Sequence, residues 1–197
     1  MKQRGYSIVE LITVIIILGI LVSLVTISVV RSQLIARDKE RLDDVNAIAG
    51  LFEDIAKNGQ TDGKLISGLT ASVPMTYPST AINSGSTQAQ DVLGRLDRRA
   101  LSAPKGTAGS SLRELTNLSQ LEAQKPTPTD DKYLYVPIND DGTLCTDADL
   151  GTGTNNVVAP RLVNSSTCSS FTIYYYSEVD ATVKYITSEK KNSDELF

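Results

Sequence analysis

The chain has 197 residues, 41% of them hydrophobic, and a mean hydropathy of -0.10 that hides an uneven distribution, because most of the apolar weight lies before Arg31. A net charge of -4 and a pI near 4.9 exclude the clustered Lys and Arg surface that phosphate binding needs, so no direct nucleic-acid site is expected. Histidine is absent, which removes the commonest general base, the usual zinc ligand and every Ser-His or Cys-His nucleophile arrangement, and no enzyme is expected.

In chain order, the first element is an apolar helix. Nothing between residues 11 and 30 is ionisable, and at about 1.5 Å per residue this run matches the roughly 30 Å hydrocarbon core of a bilayer. A cleavable secretory signal has an apolar core of roughly 7 to 15 residues with a small-residue cut site behind it. Here the run is longer, and Arg31-Ser32-Gln33-Leu34 follows it without an A-x-A pattern. One carboxylate, Glu10, stands at the start of the run, behind Gly5-Tyr6-Ser7-Ile8-Val9 and a basic leader, Met1-Lys2-Gln3-Arg4. A charge carried to the membrane centre costs roughly 2.5 to 3.5 kcal/mol on insertion scales. Either Glu10 snorkels to the interface or a partner compensates it.

The string Gly5-Tyr6-Ser7-Ile8-Val9-Glu10-Leu11, followed by Ile12-Thr13-Val14-Ile15-Ile16-Ile17-Leu18-Gly19-Ile20-Leu21, closely resembles the class III prepilin signal of type IV pilins and of the pseudopilins of type II secretion and competence systems. The resemblance implies that a membrane prepilin peptidase cuts between Gly5 and Tyr6 and that the new amino terminus, Tyr6, is methylated. A glycine at position 5 suits a site that draws in extended backbone. The family's glutamate pairs with the amine of a neighbouring subunit, a role that would fall to Glu10, and such a pairing in low dielectric would fix the stagger between helices. Further implied partners are other pilin subunits, in a homopolymer or mixed filament, membrane lipid before assembly, and an inner-membrane platform with its ATPase. Two features depart from the usual pattern: Tyr6 replaces Phe, and no Pro occurs in residues 24–30, while Gly19 is kept. Lys2 and Arg4 on one side and Arg31, Arg37, Lys39 and Arg41 on the other leave orientation open by charge alone. The peptidase resemblance places the leader inside and the head outside the cytoplasmic membrane, then in an extracellular or envelope-spanning filament.

Beyond Val30 the pattern turns amphipathic. Leu34, Ile35, Leu42, Val45, Ile48, Ala49, Phe52 and Ile55 recur every three or four residues, with Arg37, Lys39, Glu40, Arg41, Asp43 and Asp44 between them. One helix from Tyr6 to Lys57 is expected, with Asn58-Gly59 as its stop; a membrane helix followed by a separate amphipathic one is the alternative. Residues 63–86 read as an ordered loop with a short strand, and residues 88–101 and 111–123 as helices, the second opening on a Ser111-Leu112-Arg113-Glu114 capping box. Lys125-Pro126-Thr127-Pro128 breaks the chain before a strand at Lys132-Tyr133-Leu134-Tyr135-Val136. Phe171-Thr172-Ile173-Tyr174-Tyr175-Tyr176 and residues 181–187 form an antiparallel hairpin around Ser177-Glu178-Val179-Asp180, its tyrosines read as sheet packing rather than a ligand platform.

Cys145 and Cys168 lack metal-ligand spacing. A disulfide fits them best, two free buried thiols being the alternative, and such a bond persists only in an oxidising compartment, which suits an exported head. Asn139-Asp140-Asp141-Gly142 and Asp147-Ala148-Asp149 gather oxygen ligands around Cys145, and some pseudopilins bind calcium in a comparable loop, so Asp140, Asp141, Asp147 and Asp149 are calcium candidates in a chain for which no other cofactor is expected. Asn117-Leu118-Ser119 and Asn164-Ser165-Ser166 match the glycosylation sequon, but no glycan is assigned to them.

The expected fold is α+β: a long N-terminal helix, membrane-embedded in its first half and amphipathic in its second, packed on a small antiparallel β-sheet head. The organisation is a leader at 1–5, a filament-core helix at 6–30, its amphipathic continuation at 31–57 and a head at 58–197. The expected function is a structural subunit of a type IV pilus or pilus-like filament for adhesion, motility or DNA uptake. A minor pilin or pseudopilin of a type II secretion or competence system is the alternative, separable by abundance in sheared filaments. A membrane-anchored binding head is disfavoured, since a plain anchor needs neither Gly5 nor Glu10.

Overall fold

The computed structural model describes residues 7–58, 60–61, 64–65, 77–83, 92–106, 112–146 and 168–189. A single helix, α1, runs unbroken from Ile8 to Asn58, 51 residues and roughly 75 Å long at the helical rise. The alternative of two separate helices is not what forms, and the segment 24–30 that lacks Pro continues the helix.

Among the described residues the head has a small sheet and a main one. Strands β1 (Gln60–Thr61) and β2 (Lys64–Leu65) make a small antiparallel pair. The main sheet has the order β3-β4-β5-β6, from Leu112–Glu114, Tyr133–Asn139, Cys168–Ser177 and Thr182–Thr187. β4, β5 and β6 are antiparallel neighbours, and β3 lies parallel to β4, pairing Leu112 with Tyr133 and Glu114 with Tyr135. The sheet is therefore mixed rather than wholly antiparallel, on the expected α+β plan.

Alternation along the strands gives the sheet two faces. Tyr133, Tyr135, Phe171, Ile173 and Tyr175 face α1 and meet Val45, Ile48, Phe52 and Ile55 in the larger core. Phe52 lies 4.8 Å from Tyr135 and 5.9 Å from Phe171, ring centre to ring centre, at the middle of it. Burying each such side chain favours folding by roughly 1.5 to 3 kcal/mol. On the opposite face Leu115, Leu134, Val136 and Leu144 form a second cluster, roofed by Leu118 and Leu121.

Two expected helices are corrected. Within residues 111–123 the structure has β3, a 3-10 turn at Leu118–Gln120 and a single α turn at Leu121–Gln124. Leucines spaced by three mimic a helical face there, while Leu112 is in fact buried through pairing with β4. Of the helix expected at 88–101, Val92 and Leu93 are helical and the described chain then proceeds by successive turns, closed by hydrogen bonds such as Arg95 N–H to the Val92 carbonyl and Ala100 N–H to the Asp97 carbonyl.

Candidate functional site

The surface best suited to function is the first half of α1. Every residue from 7 to 33 is exposed, so this rod, roughly 40 Å long at the helical rise, stands free of the head. It is long and apolar enough to cross a membrane. Three of its hydroxyls turn back onto the helix, which suits them to lipid: Thr13 Oγ1 donates to the Glu10 carbonyl at 2.9 Å, Ser23 Oγ to that of Gly19 at 2.8 Å, and Thr26 Oγ1 to that of Val22 at 2.8 Å. Glu10 sits in the first turn of the helix, where the dipole favours a negative charge, and is exposed with no ion-pair partner among the described residues. The predicted cut at Gly5 and Tyr6 lies outside the described residues.

Where α1 enters the head, the charges of the amphipathic segment build a neck. Arg41 is 1% exposed and lays its guanidinium on Asp131, with Nε to Oδ1 at 2.9 Å and Nη2 to Oδ2 at 2.8 Å, while also donating to Asp38 Oδ1 at 2.8 Å and to Glu178. Arg37 grips both Glu178 oxygens at 2.9 Å, and Lys105 adds a third cation to Glu178. Asp38 accepts from Ser177 Oγ at 2.7 Å, from the N–H of Glu178 at 2.8 Å and from that of Val179 at 2.9 Å, so the β5–β6 turn is tied to the helix by backbone as well as side chain.

The charge states follow from these partners. Hydrogen bonding from Arg37, then from Lys105 and Arg41, holds the Glu178 carboxyl well below the usual carboxylate range despite some burial. Burial alone would raise Asp38, but the Val179 N–H, the Ser177 hydroxyl and the Glu178 N–H lower it overall. Burial likewise works against the Arg41 charge and is outweighed by Asp131 and Glu178, which push its pKa up. Further along α1, burial raises Asp44, which accepts from Tyr133 Oη at 2.7 Å, and Glu53 accepts from Tyr77 Oη at 2.9 Å and the Glu189 N–H at 2.8 Å. The spacing of charges on α1 predicted a solvent-facing side, and nothing local marked Arg41, Asp44 or Glu53 as buried anchors.

Cys145 and Cys168 are joined in a disulfide, with their Cα atoms 5.6 Å apart, and the carbonyls of both accept from the segment between the helix and the sheet, from Thr80 N–H and Tyr77 N–H. Of the calcium candidates, Asp147 and Asp149 lie outside the described residues. Asp141 already accepts from Thr143 N–H at 2.9 Å and Thr143 Oγ1 at 2.6 Å, closing its own turn. Among the described residues no three His, Cys, Asp or Glu side chains converge as a metal site. The tyrosines of β5 divide between the faces: Tyr175 enters the core, and Tyr174 pairs with Tyr185 across the strands at 5.8 Å, under Lys125.

Neither the curated proteins nor the solved structures give a match to this chain. Residues 1–26 match the family described as the prokaryotic N-terminal methylation motif. A basic leader, Gly5, Glu10 and an exposed apolar rod thus coincide with that motif, and the chain carries the class III prepilin signal of type IV pilins and pseudopilins.

Proposed function

We propose that the protein is a structural subunit of a type IV pilus or pilus-like filament that serves adhesion, motility or DNA uptake. Prepilin peptidase removes residues 1–5, Tyr6 is methylated, and the rod leaves the cytoplasmic membrane to become filament core while the head remains outside. An inner-membrane platform and its ATPase drive the transfer. In the assembled state Glu10 meets the freed amine of a neighbouring copy, the compensation that a carboxylate in a low-dielectric bundle requires.

The observation that carries this reading is the rod itself, exposed over residues 7–33 directly behind a methylation motif. A helix with apolar side chains all round has no stable place in water, and lipid followed by neighbouring rods gives it two successive surroundings. The test is to express the full chain with a prepilin peptidase and sequence its amino terminus. Methylated Tyr6 is the expected result; an intact Met1, or a cut behind Val30, would overturn the proposal.

A further inference from the structure

A groove of about 470 Å³ runs beside the outer half of α1, from Asn46 through Ala49 and Gly50 to Lys57, with Ile186 and Glu189 on its other wall. Ile186 belongs to β6, an edge strand of the main sheet among the described residues. An open edge offers backbone donors and acceptors to any other strand, and folded proteins often close one with a helix or loop. Gly50 is a second mark of something absent. It is exposed in mid-helix, where glycine is a weaker helix former than alanine. A methyl group there would meet no atom within 4 Å, so nothing described in the chain calls for a residue this small, and the floor of the groove admits close approach from outside.

The third observation is where the chain passes beyond the described residues. Glu189 is helical, its carboxylate pairs with Lys57 and its N–H donates to Glu53 at 2.8 Å, so the chain leaves from inside the groove, at its Lys57 end. Lys190-Lys191-Asn192-Ser193-Asp194-Glu195-Leu196-Phe197 follows. At helical spacing Ser193, Leu196 and Phe197 fall on the side of Glu189, and Lys191, Asp194 and Glu195 on the other.

We infer that residues 190–197 carry on the helical turn begun at Glu189, turn back along α1 and lie in this groove, closing the open edge of β6 within the same chain. The pair between Lys57 and Glu189 sets the register. Antiparallel helices rise equally per residue, and Leu196 stands as far beyond Glu189 as Gly50 stands before Lys57, so Leu196 comes to rest beside Gly50 and Phe197 beside Ala49. Lys190 and Lys191 then begin the segment next to Glu53 and Asp54, of opposite charge. With the groove filled, β6 is kept from pairing with a strand of another head. The contact lies within one copy and does not draw on the filament reading.

Cysteine pairing in the full chain, purified in detergent, tests this without any filament, because both native cysteines are already joined and leave only the introduced thiols. Leu196→Cys is combined in one variant with Gly50→Cys and in another with Val179→Cys, at the opposite end of the β5–β6 hairpin. Mild oxidation should close the 196–50 bond within single chains, severalfold more than the 196–179 bond, as peptide mass spectrometry would read. A 196–50 pair that fails to close, that closes no better than 196–179, or that closes only between chains would overturn the assignment. Hydrogen exchange gives an arm that introduces no cysteine. Deleting residues 190–197 should speed exchange of the Thr182–Thr187 amides severalfold while those of Tyr133–Asn139 keep parental rates; parental rates in both strands would contradict the closed edge.

Discussion

Arg41 decides how the rod is held to the head. Its guanidinium is enclosed, and the groups it binds, Asp131 and Glu178, come from 90 and 137 residues further along the chain. Removing one member of a buried charge cluster strands the others, at a cost of about 3 to 5 kcal/mol, so Arg41→Ala should lower the unfolding free energy by about that amount. Arg37, whose side chain is 27% exposed, shares Glu178 with two other cations, and Arg37→Ala should cost about 1 kcal/mol or less. Urea titration of the full chain in detergent, followed by near-ultraviolet circular dichroism of the core tyrosines, separates the two; equal losses would mean that Arg41 is not the keystone. Nothing in the sequence foretold this difference. Arg37 and Arg41 stand one turn apart in an amphipathic pattern and look alike locally, and only the return of the β5–β6 turn onto the helix buries one and leaves the other near water.

At the scale of elements, what was legible was what depends on neighbours in sequence. The apolar run and its amphipathic continuation specified α1, and alternating aromatic and β-branched residues specified β4 and the β5–β6 hairpin. β3 was not legible, because its three residues are a strand only through parallel pairing with β4, while the helical spacing of Leu112, Leu115, Leu118 and Leu121 in fact sends Leu112 into the larger core and the other three into or over the second cluster. The hairpin turn owes its place on α1 to carboxylates, and this gives it a pH dependence. Glu178 and Asp38 have depressed folded pKa values, so their contribution is full above the ordinary carboxylate range and is lost as pH falls through the folded values, for Glu178 from about pH 4 downward. Asp44, with its pKa raised, works in the opposite sense and gains as pH falls. Glu178→Gln should therefore melt below the parent at pH 7, and the gap should narrow steadily as pH falls from about 4 toward 2. A gap that stays constant over that range would show that charge at Glu178 is not what docks the turn.

For the whole molecule, the two halves of α1 answer to different surroundings. The outer half is fixed by the head, through the core at Phe52 and the neck at Arg41; the inner half is exposed along its whole length, with none of its residues buried among the described ones, and finds its contacts in lipid or in other copies. Between residues 8 and 30 the one ionisable group is Glu10, and this separates insertion from assembly. In a lipid-spanning helix a carboxylate is a cost, so Glu10→Ala should leave membrane insertion and cleavage behind Gly5 intact or slightly improved. In a bundle of rods the same carboxylate is the proposed mate of a neighbour's amine, so the variant should leave that amine uncompensated and lose filaments in the sheared fraction. Mass spectrometry of the membrane-bound pool reports processing, and quantitation of sheared material reports assembly. If Glu10 merely snorkelled to the interface, the two readouts would remain together at parental levels, and normal filaments from Glu10→Ala would remove the pairing role.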